Sequence, residues 1–392
     1  MSVGWAVLEN LLLLAAGWYG RDLVGVTSRY LRRRHQKALM SKEIATQNDM
    51  ADWAMGYYVQ RGQDSYIFKL ENGKPIPYLT REEWRFRPGQ PLSVAFNYRP
   101  VSSPVKVNNS YIRTRKKLGQ RVWNGNIYCL LDGISGSAGS YEISIGTGTY
   151  FQYITVTDHL EGEGRACLRN SRRDTDYRDK VALTIAHLQS ARPGAQLVGF
   201  TVAVVMRTQQ GPVLLVQTRS VKTGVAGGRQ ALVPAYVCEP NPDASEVPNF
   251  PISDFFREFV EELYIEEEPA SDSLISRYWY YDYHPIPELL DLQGKGDFVF
   301  EILGYGFDAL TTELHVGAVA YIHSIEFSER ELRRMRKSWE ADGIEIVPVT
   351  AAKIARLAEA EPMYSTSAFT LLCLKSWLTE RGYLSVPASA RT

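Results

Sequence analysis

The sequence predicts an α+β fold, an α/β/α sandwich around a mixed β-sheet, preceded by a β-rich extension and one N-terminal transmembrane helix. Three observations predict it. Apolar strands and amphipathic helices follow one another in mixed order from residue 196 onward. Short strand-like runs separated by Pro and Gly fill residues 65–195. A long apolar run with almost no charge lies at the N-terminus.

The composition is close to the average of soluble globular proteins and limits the function. Of the 392 residues, 45% are hydrophobic and 22% are charged, which excludes a wholly disordered chain and a polytopic membrane protein. Lys+Arg and Asp+Glu both number 44, so bulk charge does not favour DNA or RNA binding. An anionic partner must therefore be held by a local basic patch. The four cysteines form no CxxC pair, which indicates free thiols in a reducing compartment.

The N-terminal run, Val3 to Gly20, predicts a single membrane anchor. As a helix it would span roughly 27 Å, close to the hydrocarbon thickness of about 30 Å. Trp5 lies near one end of the run and Trp18 near the other, and a basic cluster beginning at Arg21 follows it. The positive-inside rule therefore places the rest of the chain in the cytoplasm. Two alternatives stay open: a signal peptide, whose charged region would precede the run, and a buried core helix.

Four segments are expected, and each has its own pattern. They are an anchor (1–25), a helical basic juxtamembrane stem (26–64), a β-rich extension of unknown role (65–195) and a ligand-sensing domain (196–392). NIYCLLDG, SYEISIG and TYFQYITV predict strands in the extension. In the last segment, LVGFTVAVVM and PVLLVQTRS predict a hairpin, and ALVPAYVC and LHVGAVAYIHSIEF predict further strands. Helices are expected from Ser253, over SERELRRMRKSWEADG and in two closing segments.

The helix from Ser253 carries the candidate chemistry. Its aromatic and aliphatic residues share one face, and Glu258, Glu261 and Glu262 share the other. Carboxylates at this spacing lie within about 6 Å of one another and repel unless a cation is present. Mg²⁺ prefers such oxygen ligands, so the three glutamates are candidate metal ligands. The alternative is a solvated acidic face.

The segment Leu197–Leu384 resembles the Nudix (nucleoside diphosphate linked to X) hydrolase family. The sequence REFVEELYI is similar to the family core R-E-hydrophobic-x-E-E-x-G-hydrophobic, except that Tyr264 stands where glycine is usual. The resemblance implies that Glu258 would act as base or metal ligand. It implies that Glu261 and Glu262 would be Mg²⁺ ligands.

The upstream half of this motif departs from the family. The paired glycines of the family correspond to Ala235 and Tyr236, and its loop glutamate corresponds to Asn249. This degenerate motif favours binding over hydrolysis, so Glu258 is catalytic only if the domain is a hydrolase. If the domain binds without hydrolysing, it requires no cofactor. Mg²⁺ is the expected ion if the helix still holds a cation.

A bound polyanion would instead meet basic residues before the degenerate loop. Arg219, Lys222 and Arg229 are the candidates for the phosphates, and Tyr236 or Trp279 would stack on a base. The alternative for each is an ordinary surface charge or a core aromatic.

An anchor followed by a degenerate Nudix domain resembles the transmembrane–NUDIX effectors of bacterial cyclic-oligonucleotide-based antiphage signalling (CBASS), which carry a SMODS-associated NUDIX domain. The resemblance implies a single-pass protein of the cell inner membrane with a cytoplasmic C-terminal part. A cyclic di- or trinucleotide, made by a functionally linked cyclic-nucleotide synthase, would bind the domain and drive self-association. The assembly would disrupt the lipid bilayer and kill the infected cell, without DNA or RNA as partner. The alternatives are a membrane-tethered Mg-dependent Nudix hydrolase of a nucleoside diphosphate derivative, and an anchor that recruits a partner through a ligand-dead NUDIX surface.

Overall fold

The computed structural model describes the chain from residue 48 to residue 384 with internal gaps. The described residues are 48–90, 92–117, 122, 124–137, 139–170, 175–220, 228–240, 250–265, 279–336, 338, 341–360 and 363–384. The chain divides into two units, Met1–Asp49 and Met50–Thr392. The predicted anchor and most of the predicted stem lie outside the described residues. Among the helices that are described, none has both the length and the apolar character that a membrane span needs.

Twelve strands in the described part of the chain form one mixed sheet. They are β1 (Ile67–Lys69), β2 (Pro75–Leu79), β3 (Ser93–Ser102), β4 (Asn126–Ser137), β5 (Ser140–Thr149), β6 (Gln196–Thr208), β7 (Gly211–Arg219), β8 (Gln230–Leu232), β9 (Ala235–Val237), β10 (Phe298–Asp308), β11 (Leu314–Ile322) and β12 (Ala341–Pro348). The main order is β1-β2-β10-β11-β6-β4-β5-β3. β9 also pairs with β6, and β7 pairs with β6, β8 and β12. The mixed sheet that the sequence predicts is confirmed.

Strand β6 lies at the centre of this sheet. It is buried from Gln196 to Met206, and β11 runs parallel to it from Val198 onward. Its other edge is shared by β4 at the start, β9 in the middle and β7 at the end. A strand covered on both faces and both edges requires a continuous apolar sequence, and LVGFTVAVVM supplies one.

Ten helices lie in the described residues and cover both faces of the sheet. They are α1 (48–59), α2 (Asn109–Lys117), α3 (Tyr150–Asn170), α4 (Asp176–Ala182), α5 (Ile185–Gln189), α6 (Ile252–Leu263), α7 (Ile286–Lys295), α8 (Ile325–Arg334), α9 (Ala351–Glu359) and α10 (Ser365–Glu380). Val204 of β6 belongs to one core cluster with Phe255 of α6. Its neighbour Val205 belongs to a second cluster with Phe369 of α10. Because alternate residues of a strand point to opposite faces, α6 and α10 lie on opposite sides of the sheet.

The extension and the last segment contribute strands to the same sheet. β2 pairs with β10, and β4 pairs with β6 through Cys129 and Leu197. Residues 65–195 therefore supply strands on both sides of the β10-β11-β6 centre. The proposed boundary near residue 195 stays a prediction.

One predicted strand, TYFQYITV, is wrong and forms the start of α3. Its alternating aromatic and β-branched residues are typical of a strand. However, the Gln152 side chain accepts a hydrogen bond from the Thr149 backbone N–H at 2.8 Å, and the Thr149 hydroxyl accepts one from the Gln152 N–H at 3.3 Å. This reciprocal capping box starts a helix, and the spacing T-x-x-Q was the signal for it.

Two further boundaries differ from the sequence prediction. The run ALVPAYVC is two short strands, β8 and β9, separated at Val233-Pro234 because proline has no N–H to donate to a ladder. The end of LHVGAVAYIHSIEF belongs to α8, since the Ser324 hydroxyl caps that helix by accepting from the Phe327 N–H. Helix α8 also ends at Arg334, earlier than predicted.

Candidate functional site

Helix α6 presents its carboxylates to a half-buried arginine, Arg257. Its aromatic residues pack into the core, as the amphipathic pattern predicts. On the other face, Arg257 Nη2 lies 2.8 Å from Glu258 Oε1, and Arg257 Nη1 donates to Glu261 Oε2 at 3.0 Å. A third carboxylate, that of Glu239, lies 3.9 Å from the same guanidinium. One guanidinium group therefore lies within 3.9 Å of three carboxyl groups.

Glu262, the third candidate metal ligand, ties the helix to the sheet. It is buried, with 4% of its surface exposed. Its Oε1 accepts a hydrogen bond from the Ala235 N–H at 3.0 Å, and its Oε2 accepts one from the Gln217 side-chain amide at 2.9 Å. Both oxygens are thus used to hold β7 and β9 against α6. Ala235, which stands where the family has glycine, therefore contacts this carboxylate through its backbone.

Burial and crowding raise the pKa values of two acids on α6. Burial raises the pKa of Glu258 well above its ordinary value; Arg257 opposes this, and the charge of Glu261 adds to it. Burial also raises the pKa of Asp254 from 3.8 to about 6, against the opposing charge of Arg257. Asp254 accepts from the backbone N–H of Glu239 at 3.1 Å. Both shifts favour the protonated form more than in an ordinary carboxyl group.

The carboxylates of α6 do not fit a Mg²⁺ site as they are arranged. Within the part of the chain that the structure describes, no group of three or more His, Cys, Asp or Glu side chains could hold a metal ion. The reason is local: Glu258 and Glu261 face Arg257, and Glu262 faces two nitrogen donors. Metal binding by these residues stays a prediction.

Two of the predicted phosphate ligands lie side by side. The Arg219 N–H donates to the Arg229 carbonyl at 2.9 Å across the β7–β8 pair. Arg219 Nη1 also donates to the Ala235 carbonyl at 3.3 Å. Ala235 is therefore held by Glu262 through its N–H and by Arg219 through its carbonyl. Lys222 lies outside the described residues.

The two predicted stacking aromatics are placed differently. Tyr236 is buried with 6% exposed, and its ring stacks on Phe200 at 5.7 Å between centroids. Trp279 begins a short 3-10 helix and packs against Tyr280 and Tyr283. Among the described residues, the ring contacts of Trp279 are with these two tyrosines. Tyr236 directly follows Ala235, whose carbonyl accepts the hydrogen bond from Arg219.

A buried polar cluster beside the two arginines was missed by the sequence analysis. His315 Nε2 lies 2.6 Å from Glu313 Oε2, and the Tyr153 hydroxyl bonds the other oxygen of Glu313. Tyr364 stands edge-on to the His315 ring at 6.4 Å, and its N–H donates to the Gln230 carbonyl. The signal in the sequence was the pattern E-L-H at the start of a strand. Its partner, Tyr153, lies 160 positions away, too far for any local pattern to indicate.

The charges of the two arginines act on Tyr364 of this cluster. Burial, then the carboxylates of Glu313 and Asp308, raise the pKa of Tyr364 well above its ordinary value. The charges of Arg229 and Arg219 act on the same hydroxyl in the opposite direction. Two acids and two arginines thus act on one phenol.

Comparison with known proteins adds little. No protein-family model matches the chain, and no curated protein matches it. Among solved structures, a similar chain is a bifunctional NMN adenylyltransferase/ADP ribose pyrophosphatase from Francisella tularensis, crystallised with AMP and a Mn ion. The identity is 11%, the TM-score is 0.29, and the match covers 58% of this chain and 48% of that one. This chain thus spans about half the length of that protein, and a similarity at this TM-score carries no argument.

Proposed function

We propose that this chain is a receptor whose Nudix-like domain binds a cyclic di- or trinucleotide without hydrolysing it. Binding drives self-association, and the assembly disrupts the inner membrane as the effector of an antiphage defence system. The membrane and defence parts rest on the N-terminal apolar run and on the family resemblance. The binding part has further support in the described residues.

The observation that carries the proposal is how the α6 carboxylates are used. A Nudix hydrolase needs them to hold a metal ion at the scissile phosphate. Here Glu262 accepts two hydrogen bonds from the sheet, and Glu258 and Glu261 face Arg257. Freeing Glu262 would leave the Ala235 N–H and the Gln217 amide unpaired, which costs about 1–3 kcal/mol for each buried group. The helix therefore fits a structural role better than catalysis.

The arginines supply what an anionic ligand requires. The whole chain has zero net charge, so a polyanion is not attracted by the long-range field and needs local cations. Arg219 and Arg229 are cross-strand neighbours, and both are partly exposed. Guanidinium groups bind phosphate oxygens with paired hydrogen bonds. Two of them on adjacent strands match a ligand with more than one phosphate.

Calorimetry on the full-length chain, in detergent where it needs it, tests the proposal. The panel is a set of 3′,5′-linked cyclic di- and trinucleotides, and light scattering follows assembly. Arg219→Glu and Arg229→Glu should each weaken binding at least about tenfold, or about 1.4 kcal/mol. Arg207→Glu is the matched control, since Arg207 is exposed at the far end of the β6–β7 hairpin.

Three outcomes would contradict the proposal. The first is that no member of the panel binds. The second is that a member binds without changing the assembly state. The third is Mg²⁺-dependent turnover of a nucleoside diphosphate derivative that Glu261→Gln abolishes, which would make the chain a hydrolase.

A further inference from the structure

The Glu313–His315 pair has an orientation that fixes where the imidazole can accept a hydrogen bond. Glu313 is 2% exposed. Burial alone would raise its pKa, but the hydrogen bonds from His315 and from the Tyr153 hydroxyl hold the pKa of Glu313 below its ordinary value. An ionised carboxylate only accepts hydrogen bonds, so the facing Nε2 carries the proton. In the neutral ring, Nδ1 then bears the lone pair.

That lone pair has no partner in the described residues. His315 Nδ1 is buried and makes no hydrogen bond there. The ring lies against Gly199, where an added Cβ would come within 3.0 Å of His315 Cε1 and 3.1 Å of Nδ1. A buried polar atom left unpaired costs about 1–3 kcal/mol. A folded protein retains such a cost most readily where a ligand supplies the missing bond.

Two more unpaired polar atoms lie at the same corner of the sheet. Gln196 donates from its amide to the Thr312 carbonyl at 2.9 Å. Its Oε1 and the Thr312 Oγ1 are both buried without a partner among the described residues. Thr312 also has a φ of 66°, a left-handed conformation that is strained for a β-branched residue. In the described residues, this turn thus has more buried polar atoms than hydrogen-bond partners for them.

The two arginines of the proposed ligand site flank this corner. Tyr364, edge-on to His315, is within electrostatic reach of both Arg229 and Arg219. On the other side, the Tyr236 carbonyl lies close to the same Gly199 position as the His315 ring, and the preceding carbonyl binds Arg219. A ligand group that bonds His315 would therefore lie near a phosphate held by the arginines.

We propose that His315, oriented by Glu313 and Tyr153, accepts at Nδ1 a hydrogen bond from a ribose 2′-hydroxyl of the nucleotide whose phosphates Arg219 and Arg229 bind. This inference rests on the proposed function. In a 3′,5′-linked cyclic nucleotide the 2′-hydroxyl is free and is the donor nearest to a phosphate. The residue would thus select ribonucleotides over their deoxy counterparts, as buried acceptors reject ligands that leave them unpaired.

The experiment compares each bound cyclic nucleotide with its 2′-deoxy analogue on the full-length chain. His315→Asn keeps an oxygen acceptor near the Nδ1 position, whereas His315→Gln keeps a donor near Nε2 and loses that acceptor. The wild type should bind the ribonucleotide at least about tenfold more tightly than the deoxy analogue. His315→Gln should remove that preference, and His315→Asn should retain part of it. Arg219→Glu should weaken both ligands alike.

The outcomes separate the two proposals. Binding that depends on the arginines but shows no 2′-hydroxyl preference overturns the role of His315 and leaves the receptor function standing. A preference that survives in His315→Gln, or that follows a base amino group instead, overturns it as well. If no cyclic nucleotide binds, both proposals fail.

Nitrogen-15 NMR of the wild-type chain keeps the inference testable if the variants do not fold. We expect Nδ1 unprotonated in the free protein, and its resonance should move with the ribonucleotide but not with the deoxy analogue. A proton on Nδ1 in the free protein, or equal responses to both ligands, overturns the inference.

Discussion

Glu262 gives the sharpest test of whether α6 is structural or catalytic. Its two oxygens accept from the Ala235 N–H at 3.0 Å and from the Gln217 amide at 2.9 Å, in a buried position. Hydrogen bonds to a charged acceptor are worth about 1.5–3 kcal/mol each. Glu262→Ala should therefore lower the free energy of unfolding by about 3–5 kcal/mol.

Glu262→Gln should be far milder, and the reason lies in Gln217. The Gln217 Oε1 is buried without a hydrogen-bond partner in the described residues. If the Gln217 amide turns over, this oxygen can accept from the new amide nitrogen, while the new carbonyl oxygen still accepts from the Ala235 N–H. The change also removes a charge that raises the pKa of Glu258. We expect a loss of no more than about 1 kcal/mol.

Urea unfolding of the full-length chain, followed by tryptophan fluorescence, measures both variants. Glu261→Ala is the control, because Glu261 is more exposed and pairs with an arginine that Glu258 also contacts; it should lose about 1 kcal/mol. Equal losses for Glu262→Ala and Glu262→Gln would refute the reasoning. So would a stabilisation by Mg²⁺ that Glu262→Gln abolishes, because the carboxylate would then be a metal ligand.

Three further predictions concern other parts of the chain. Burial raises the pKa of Asp254 to about 6, so the native state binds its proton more tightly than the unfolded state. The free energy of unfolding should therefore fall as the pH rises from about 4 to 6. Asp254→Asn should remove up to about 3 kcal/mol of this pH-dependent decrease, measured by urea unfolding. Arg178 is buried and donates to the Ala309 and Leu310 carbonyls in the turn that leads to Glu313. Arg178→Lys should lower the unfolding midpoint, because an ammonium cannot reach both carbonyls, and should uncouple ligand binding from self-association in light scattering. Unchanged assembly would contradict this. The full-length chain should need detergent, whereas a chain starting near Met50 should stay in the supernatant after ultracentrifugation; full-length protein that is wholly soluble would refute the membrane anchor.

The sheet and its helices were predictable where one period dominates the sequence. The run LVGFTVAVVM is a buried strand, and the amphipathic pattern from Ser253 is α6. The prediction is wrong for TYFQYITV because the capping box of Thr149 and Gln152 starts a helix in spite of the strand-like composition. Two reciprocal hydrogen bonds between side chains and backbone N–H groups determine where this helix begins. Average strand propensities of single residues do not include such contacts.

The candidate site could be predicted only in part, for a related reason. The carboxylates of α6 follow from helical spacing, but their partners do not. Glu262 meets Gln217 across 45 positions, and Tyr153 meets Glu313 across 160. Such contacts follow from the order of strands in the sheet, which periodicity does not reveal. A glutamate that the sequence predicts to be a metal ligand can therefore have both carboxylate oxygens bonded within the fold, as Glu262 does.

The turn between β10 and β11 connects the candidate site with the first described helix. Arg178 is fully buried, and its Nη1 and Nη2 donate to the Ala309 and Leu310 carbonyls at 2.7 and 2.5 Å. Its guanidinium lies 5.2 Å from the ring centroid of Trp53 in α1, a favourable cation–π distance. The same turn leads to Glu313. We therefore expect a ligand that moves the Glu313–His315 pair to strain or relieve the contacts of Arg178, and through them those of α1, which lies within the last part of the predicted stem. Coupling of this kind needs an element with two arrangements that both ends bias, and the strained, incompletely hydrogen-bonded turn is the element best suited to that role.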